Sequence, residues 1–269
     1  MKIICSLLTL LFLSLIPFAQ DSWLQTDKFI YKWNEPIRIR FLAGENIENG
    51  NPKLGGIKKL EIYFNGVKDN LSAHIPGDAT DSIQIKLLDE GTAMFIFHSN
   101  NYYRELDSDK FNKYLLNEKQ MNALETRKEL DETDSAGREL YQQNAKTIIQ
   151  VGKRYNDAFK QETSLPVDML LQQNPYSLKD GDSLEVKILF QKEPLTMHLI
   201  RIWQKKNNHT VSSTMHTDEN GMIKFPVVKE GIWMISTVKM ERITNNAAIP
   251  EPAATRWQSY RGSLTWGFQ

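Results

Sequence analysis

The chain has 269 residues with 41% hydrophobic content, enough for one large or two medium cores. Lys plus Arg and Asp plus Glu both number 33, so the formal net charge is zero. That balance excludes the basic face nucleic acid demands and offers no attraction to anionic lipid.

Met1-Lys2 gives a positive start, and Ile3 to Ile16 is apolar apart from Cys5, Ser6, Thr9 and Ser14. The run is shorter than the roughly 20 residues that span a bilayer. A breaker at Pro17 and a small residue at Ala19 follow. The pattern predicts a signal peptide over 1–19, cut between Ala19 and Gln20, and a periplasmic or secreted protein with no membrane insertion after cleavage. Cys5 is the only cysteine, too early for a lipidation site, and would leave with the leader. The mature chain would then hold no disulfide and no thiolate metal site.

From about 20 to 99 the chain reads as strands. Ile37, Ile39 and Phe41 alternate with Arg38 and Arg40, a period of two that puts one face in a core. Leu60, Ile62 and Phe64 alternate again and stop at Asn65-Gly66, a hairpin signal. Ile83, Ile85 and Leu87 repeat the pattern, Glu90-Gly91 turns the chain, and Ala93 to Phe97 is apolar enough for an interior strand. Between about 107 and 140 the period changes. Ser108 is a candidate N-cap, and Phe111, Tyr114 and Leu115 fall at i, i+3 and i+4, with Leu124 beyond, as on an amphipathic helix laid on a sheet. The charged run from Glu125 to Glu139 reads as its solvated face.

Tyr141, Ala145, Ile148 and Ile149 return the chain to apolar β structure, and a linker is expected near Tyr155 to Pro166. In the last hundred residues Leu184, Val186, Ile188 and Phe190 form an alternating strand after Asp180-Gly181-Asp182. Further strands are expected over 195–203, 210–215, 223–228, 232–240 and 263–268. Asn220-Gly221 and Glu230-Gly231 bracket one of them as tight turns, the first as a hairpin. The predicted fold is mainly β, with two immunoglobulin-like β-sandwich domains over 20–160 and 165–269 and a helical insertion in or after the first.

Signatures of chemistry are sparse. Gly181-Asp182-Ser183-Leu184 spells a lipase and esterase nucleophile motif, yet His198, His209 and His216 are preceded three residues earlier by Leu195, Lys206 and Ser213, where an Asp is wanted. No G-x-S-x-G, P-loop, G-x-G-x-x-G or H-E-x-x-H occurs. Asp218-Glu219-Asn220-Gly221 lacks the alternating ligands of a calcium loop. If a turn is centred near Asn207, Met197-His198 and Met215-His216 run antiparallel, with opposite residues about 5 Å apart. Imidazole suits nickel, copper and zinc and thioether suits copper(I), so these four residues are the candidate metal ligands; the bland reading is a packed, hydrogen-bonded histidine beside Ile200 and Ile202.

Trp23-Leu24-Gln25, Asn34-Glu35-Pro36, Phe111-Asn112-Lys113-Tyr114-Leu115, Arg138-Glu139-Leu140-Tyr141, Asn174-Pro175-Tyr176, Gly231-Ile232-Trp233 and Trp257-Gln258-Ser259-Tyr260 occur in order. This series resembles an exported bacterial family of unknown function, some of whose members are labelled nickel-uptake (NikM-type) periplasmic components. The stretch from Pro194-Leu195 to Phe225 resembles carboxypeptidase-regulatory or transthyretin-like sandwiches. Relatives often carry histidines where this chain has Gln20-Asp21-Ser22 and Val238-Lys239-Met240. The resemblance implies an exported, non-enzymatic accessory or binding protein linked to nickel or cobalt uptake, with a membrane transporter or outer-membrane receptor as partner and no resident cofactor beyond a transition metal. The alternatives are a protein- or glycan-binding module without metal, and a GDSL-type hydrolase.

Overall fold

The computed structural model describes residues 21–44, 47, 50–52, 56–75, 81–244 and 255–268; the leader expected over 1–19 and its cleavage site lie outside the described residues. The chain is mainly β. Nine strands come first: β1 (Asp21–Thr26), β2 (Ile30–Tyr31), β3 (Pro36–Gly44), β4 (Asn51–Pro52), β5 (Ile57–Phe64), β6 (Val67–Asn70), β7 (Ser82–Lys86), β8 (Gly91–Ser99) and β9 (Tyr102–Leu106). Helices α1 (Ser108–Asn117) and α2 (Met121–Glu129) follow, then the long β10 (Gly137–Val151). The rest comprises β11 (Val167–Leu171), β12 (Ser183–Phe190), β13 (Glu193–Pro194), β14 (Leu199–Lys206), β15 (His209–His216), β16 (Met222–Pro226), β17 (Ile232–Arg242) and β18 (Trp257–Gly267).

Three sheets result. A ten-stranded sheet runs β15-β14-β17-β18-β10-β8-β5-β6, with β2 and β9 also on β10. A first outer sheet joins β1, β3, β4 and β7, and a second joins β11, β12, β13 and β16. Side chains alternate across a strand, and β18 shows where the outer sheets lie. Ser263 and Thr265 donate to the carbonyls of Ser22 and Leu24 in β1 at 2.6 and 2.5 Å. Gly262 on the other face lies against Val167 and Met169 of β11. The outer sheets therefore cover opposite faces of the central one. This explains why every residue of β8 is buried, and why its sequence is an unbroken apolar run from Ala93 to Phe97.

The core fills both interfaces. Phe41 of β3 meets Phe97 edge-on at 5.3 Å on the first face. Trp233 stacks on Trp266 at 6.0 Å, and Phe225 of β16 stacks on Trp233 at the same distance on the second. The two halves of the chain are joined by parallel pairing of β10 with β18, from Glu139 opposite Trp257 to Thr147 opposite Thr265. Segment 155–166, where a linker was expected, contains a short 3-10 turn that buries Ala158 and Phe159.

Three expectations are corrected in detail. The helical stretch is two helices, because Lys119 adopts a left-handed conformation (φ 54°) and breaks the ladder after Asn117. Ser108 opens α1 rather than capping it; Asp107 takes that place, without a side-chain capping bond. The segment around Asn220-Gly221 is a tight turn but not a hairpin. β15 and β16 belong to different sheets, as do β16 and β17, so the turns at Gly221 and Gly231 arch the chain across the core. True hairpins sit at Asn65-Gly66, with Phe64 opposite Val67, and at Asn207-Asn208, with Lys206 opposite His209.

Gly221 (φ +73°) and Gly231 (φ +67°) are held in the conformation L side chains avoid. An added Cβ would stand 2.7 Å from the Ile188 carbonyl oxygen at Gly221 and collide with that of Lys205 at Gly231. Replacing either with Val is expected to cost about 1–3 kcal/mol from strain alone, with Gly231→Val the worse of the two; thermal unfolding midpoints check the order.

The second outer sheet is also locked by charge. Lys146 of β10 and Asp168 of β11, 1% and 5% exposed at their side chains, form an ion pair, and Lys146 donates to the Met169 carbonyl at 3.0 Å. Asp168 accepts the Thr163 backbone N–H at 2.6 Å. Burial lowers the Lys146 pKa, with Asp168 opposing that shift. Lys146→Met leaves a buried carboxylate unpaired and is expected to cost about 3–5 kcal/mol, whereas Lys146→Met with Asp168→Leu should recover most of it. Denaturant unfolding of both variants measures the difference.

Candidate functional site

The sheet order brings the β14–β15 hairpin to one edge of the central sheet, and the antiparallel pairing expected around Asn207 is present, in a register that sets neither Met197 nor His198 opposite Met215 or His216. Leu199 stands opposite His216 and Ile200 opposite Met215. The pair continues past the strand, where His198 donates its backbone N–H to Thr217 Oγ1 at 2.9 Å and accepts from Thr217 N through its carbonyl at 3.0 Å. Alternation then separates two of the expected ligands. Met215 shares its face with Ile200 and packs on the main core, while exposed His216 points to the other face. Met197, with a left-handed backbone (φ 49°), is 75% exposed.

His198 finds other neighbours. It lines an open cleft of about 540 Å³ where β14 departs from β17, together with Met197, Met121 at the start of α2 and Met240 of β17. Its Nε2–H donates to the Val238 carbonyl at 2.8 Å, which fixes the tautomer and leaves Nδ1 as the lone-pair nitrogen. Burial pushes its pKa down to about 4, the nearby charges of Lys239 and His216 add to the fall, and the Val238 bond opposes it. The imidazole is therefore neutral at pH 7. Among the described residues no group of three or more His, Cys, Asp and Glu side chains is placed to hold a metal ion. The cleft instead gathers one imidazole and three thioethers, with the carboxylates of Glu193 and Glu241 also among its lining residues.

The cleft is supported by a buried polar layer that the sequence did not reveal. Gln120 accepts the Met240 N–H at 2.9 Å and donates to the Val238 carbonyl at 2.7 Å, tying the helix junction to β17. Arg201 pairs with Glu118 at 2.5 Å. Asp21 accepts the Ser236 hydroxyl at 2.8 Å and is pushed up to about 6, mainly by burial and then by Glu118, against Arg261, Ser236 and Arg201. Arg261 donates to the Tyr114 hydroxyl at 3.0 Å, and Arg104 pairs with fully buried Glu139. Arg127, read as solvated, is 1% exposed and donates to Asn112 Oδ1 and the Ser135 carbonyl at 2.9 and 2.7 Å.

The remaining motifs lie at a strand end and in a turn. Ser183 is exposed at the first position of β12, opposite Pro226. Asp218 Oδ1 accepts the N–H groups of Asn220 and Met222, both at 2.8 Å, so it serves the turn. Among the described residues no helix is long and apolar enough to cross a membrane.

Residues 18–241 match the family described as "Domain of unknown function (DUF4198)". The chain belongs to that family. No curated protein matches this DUF4198 chain. Among solved structures it is similar to the D0-D1 domain of intimin, at 11% identity over 93% of this chain and 100% of that one, with a TM-score of 0.22. A DUF4785 family protein from Legionella pneumophila is 6% identical over 79% and 51% of the two chains, also with a TM-score of 0.22. Trypsin-activated alpha-2-macroglobulin from Escherichia coli is 7% identical over 94% and 16%, with a TM-score of 0.21.

His198 and Asp21 oppose each other in pH dependence. The folded pKa of His198 is depressed, so its contribution is present above about 6.5 and is lost as pH falls toward 4. That of Asp21 is raised from 3.8 to about 6, so its contribution is present at low pH and is lost as pH rises through 6. Each is worth at most about 3 kcal/mol. Relative to wild type, His198→Gln is expected to gain stability as pH falls from 6.5 to 4, and Asp21→Asn to lose it between 6 and 4. Urea midpoints across that range check both signs.

Proposed function

We propose that this protein is an exported, non-enzymatic accessory or binding protein of the periplasm, built from two immunoglobulin-like sandwiches that share one sheet, and that it carries a soft transition-metal ion toward an uptake system. The observation that carries the reading is His198. Its imidazole is neutral, with one nitrogen committed to the Val238 carbonyl, and it lines a cleft with Met121, Met197 and Met240. A histidine ligand held through its second nitrogen by a carbonyl is the usual arrangement at a metal centre. Three thioethers beside one imidazole, with no thiolate and with Glu193 and Glu241 as the carboxylates lining the cleft, favour copper(I) over nickel, cobalt or zinc. Met121 and Met197 are 54% and 75% exposed, an unusual placement for side chains that elsewhere fill cores.

The fit is specific about roles. His198 Nδ1 supplies the nitrogen donor, Met240 the thioether beneath the helix junction, and the two exposed methionines the donors that close over an incoming ion. His216, whose charge lowers the His198 pKa, is the reserve nitrogen donor, and Met215, packed on the core, would have to leave its place to join. The cargo passes to a membrane transporter or outer-membrane receptor.

Competition against a chromogenic copper(I) chelator under anaerobic conditions tests the reading, with nickel and zinc titrated by calorimetry in parallel. Copper(I) is expected to bind one equivalent, with affinity falling by about tenfold or more in His198→Ala and in Met121→Leu/Met197→Leu. Binding of nickel or zinc alone, unaffected by either variant, would move the site elsewhere.

A further inference from the structure

A second cleft, of about 460 Å³, opens on the face of the central sheet that carries β11 and β12, on the far side of the β12–β13 hairpin from His198. Lys58, His98, Gln142, Gln191, Lys192 and Tyr260 are among its lining residues. Among the described residues no carboxylate lines it, and neither Lys58 nor Lys192, both exposed, makes an ion pair. Two unpaired cations on a concave wall that no carboxylate lines bias the potential there toward positive.

The wall is built for hydroxyl-bearing ligands. Buried His98 donates through Nε2 to Gln142 Oε1, which leaves the Gln142 amide N–H groups as donors toward the cleft. Half-buried Tyr260 is held edge-on by Phe190 at 5.0 Å, which fixes its ring as a platform with a phenolic hydroxyl at one end.

The hairpin over this cleft is strained. Gln191 (φ 52°) and Lys192 (φ 74°) are consecutive non-glycine residues in the left-handed region. Phe190 opposite Glu193 makes them the two central residues of a tight turn, where Asn-Gly is the unstrained choice. The chain keeps two long polar side chains at a position that disfavours them, and both line the cleft.

We infer that this cleft is a binding site for an acidic saccharide, with Lys58 and Lys192 taking the carboxylates, Gln142 and Gln191 the hydroxyls, and Tyr260 the sugar face. The site is separate from the His198 cleft and does not depend on metal binding.

Calorimetry with tri-galacturonic acid, and with maltotriose as the neutral counterpart, tests it on the full chain. The acidic trisaccharide is expected to bind at least about tenfold more tightly than maltotriose and to weaken as salt rises. Lys58→Gln/Lys192→Gln alters only exposed side chains and should weaken acidic binding about tenfold with an unchanged thermal midpoint. Gln191→Asn/Lys192→Gly relieves the turn and should raise the midpoint while weakening the same binding. Equal or absent binding of the two trisaccharides, or unchanged affinity for the acidic one in either variant, overturns the assignment.

Discussion

The parallel pairing of β10 with β18 is the constraint on which the rest depends. Nine residue pairs join strands more than a hundred residues apart and make one sheet of what would otherwise be two. Because β18 also pairs with β17 along its whole length, the C-terminal half is hydrogen-bonded to the N-terminal half through continuous backbone. Such non-local pairing must close a long loop before it gains contacts, and the fold therefore rests on the apolar burial it makes available on both faces.

Burying both faces of a central sheet makes an unpartnered polar group in it costly. β10 shows the solutions. Gln150 accepts the Thr92 hydroxyl at 2.8 Å and donates to the Arg154 carbonyl at 2.9 Å. Tyr176 donates to the Ile148 carbonyl at 2.6 Å, and Asn174, which caps its own short turn, donates to Thr92 at 2.7 Å. These bonds, with the Lys146–Asp168 pair, fix how the second outer sheet sits on the first two layers. Placement of β12 follows from them, and with it the hairpin that separates the two clefts.

The electrostatic layer beneath α1 works by the same logic. Arg104 and Arg261 lie over the Tyr114 ring at 4.8 and 5.4 Å and over Tyr141 at 5.6 and 5.7 Å, so one half-buried and one buried cation share two aromatic faces and the Glu139 carboxylate. Asp21 closes this layer at the start of β1. The helices are thereby anchored on the sheet by charge as well as by Phe111 and Leu115, and the α1–α2 junction is held where it forms one wall of the His198 cleft.

Period-two alternation and turn chemistry were enough to place most strands and the hairpins at Asn65-Gly66 and Asn207, but not the register that puts His216 opposite Leu199. They act over a few residues and are written in the order of the chain. The sequence also supplied His198 and Met197 as candidates, since both lie beside one hairpin. It could not supply Met121 and Met240, because these reach the cleft from α2 and β17, and nothing local distinguishes them from core methionines. Nor could it show that Arg127 and Glu139 are buried, since a charge in a charged run reads as solvated until a distant partner covers it, or that Lys146 and Arg261 are, whose partners lie far away in the chain. Which sheet each strand joins, and so whether Asn220-Gly221 closes a hairpin or arches across a core, was decided only by tertiary structure: both use the same positive-φ backbone and differ only in the strand that the next segment meets.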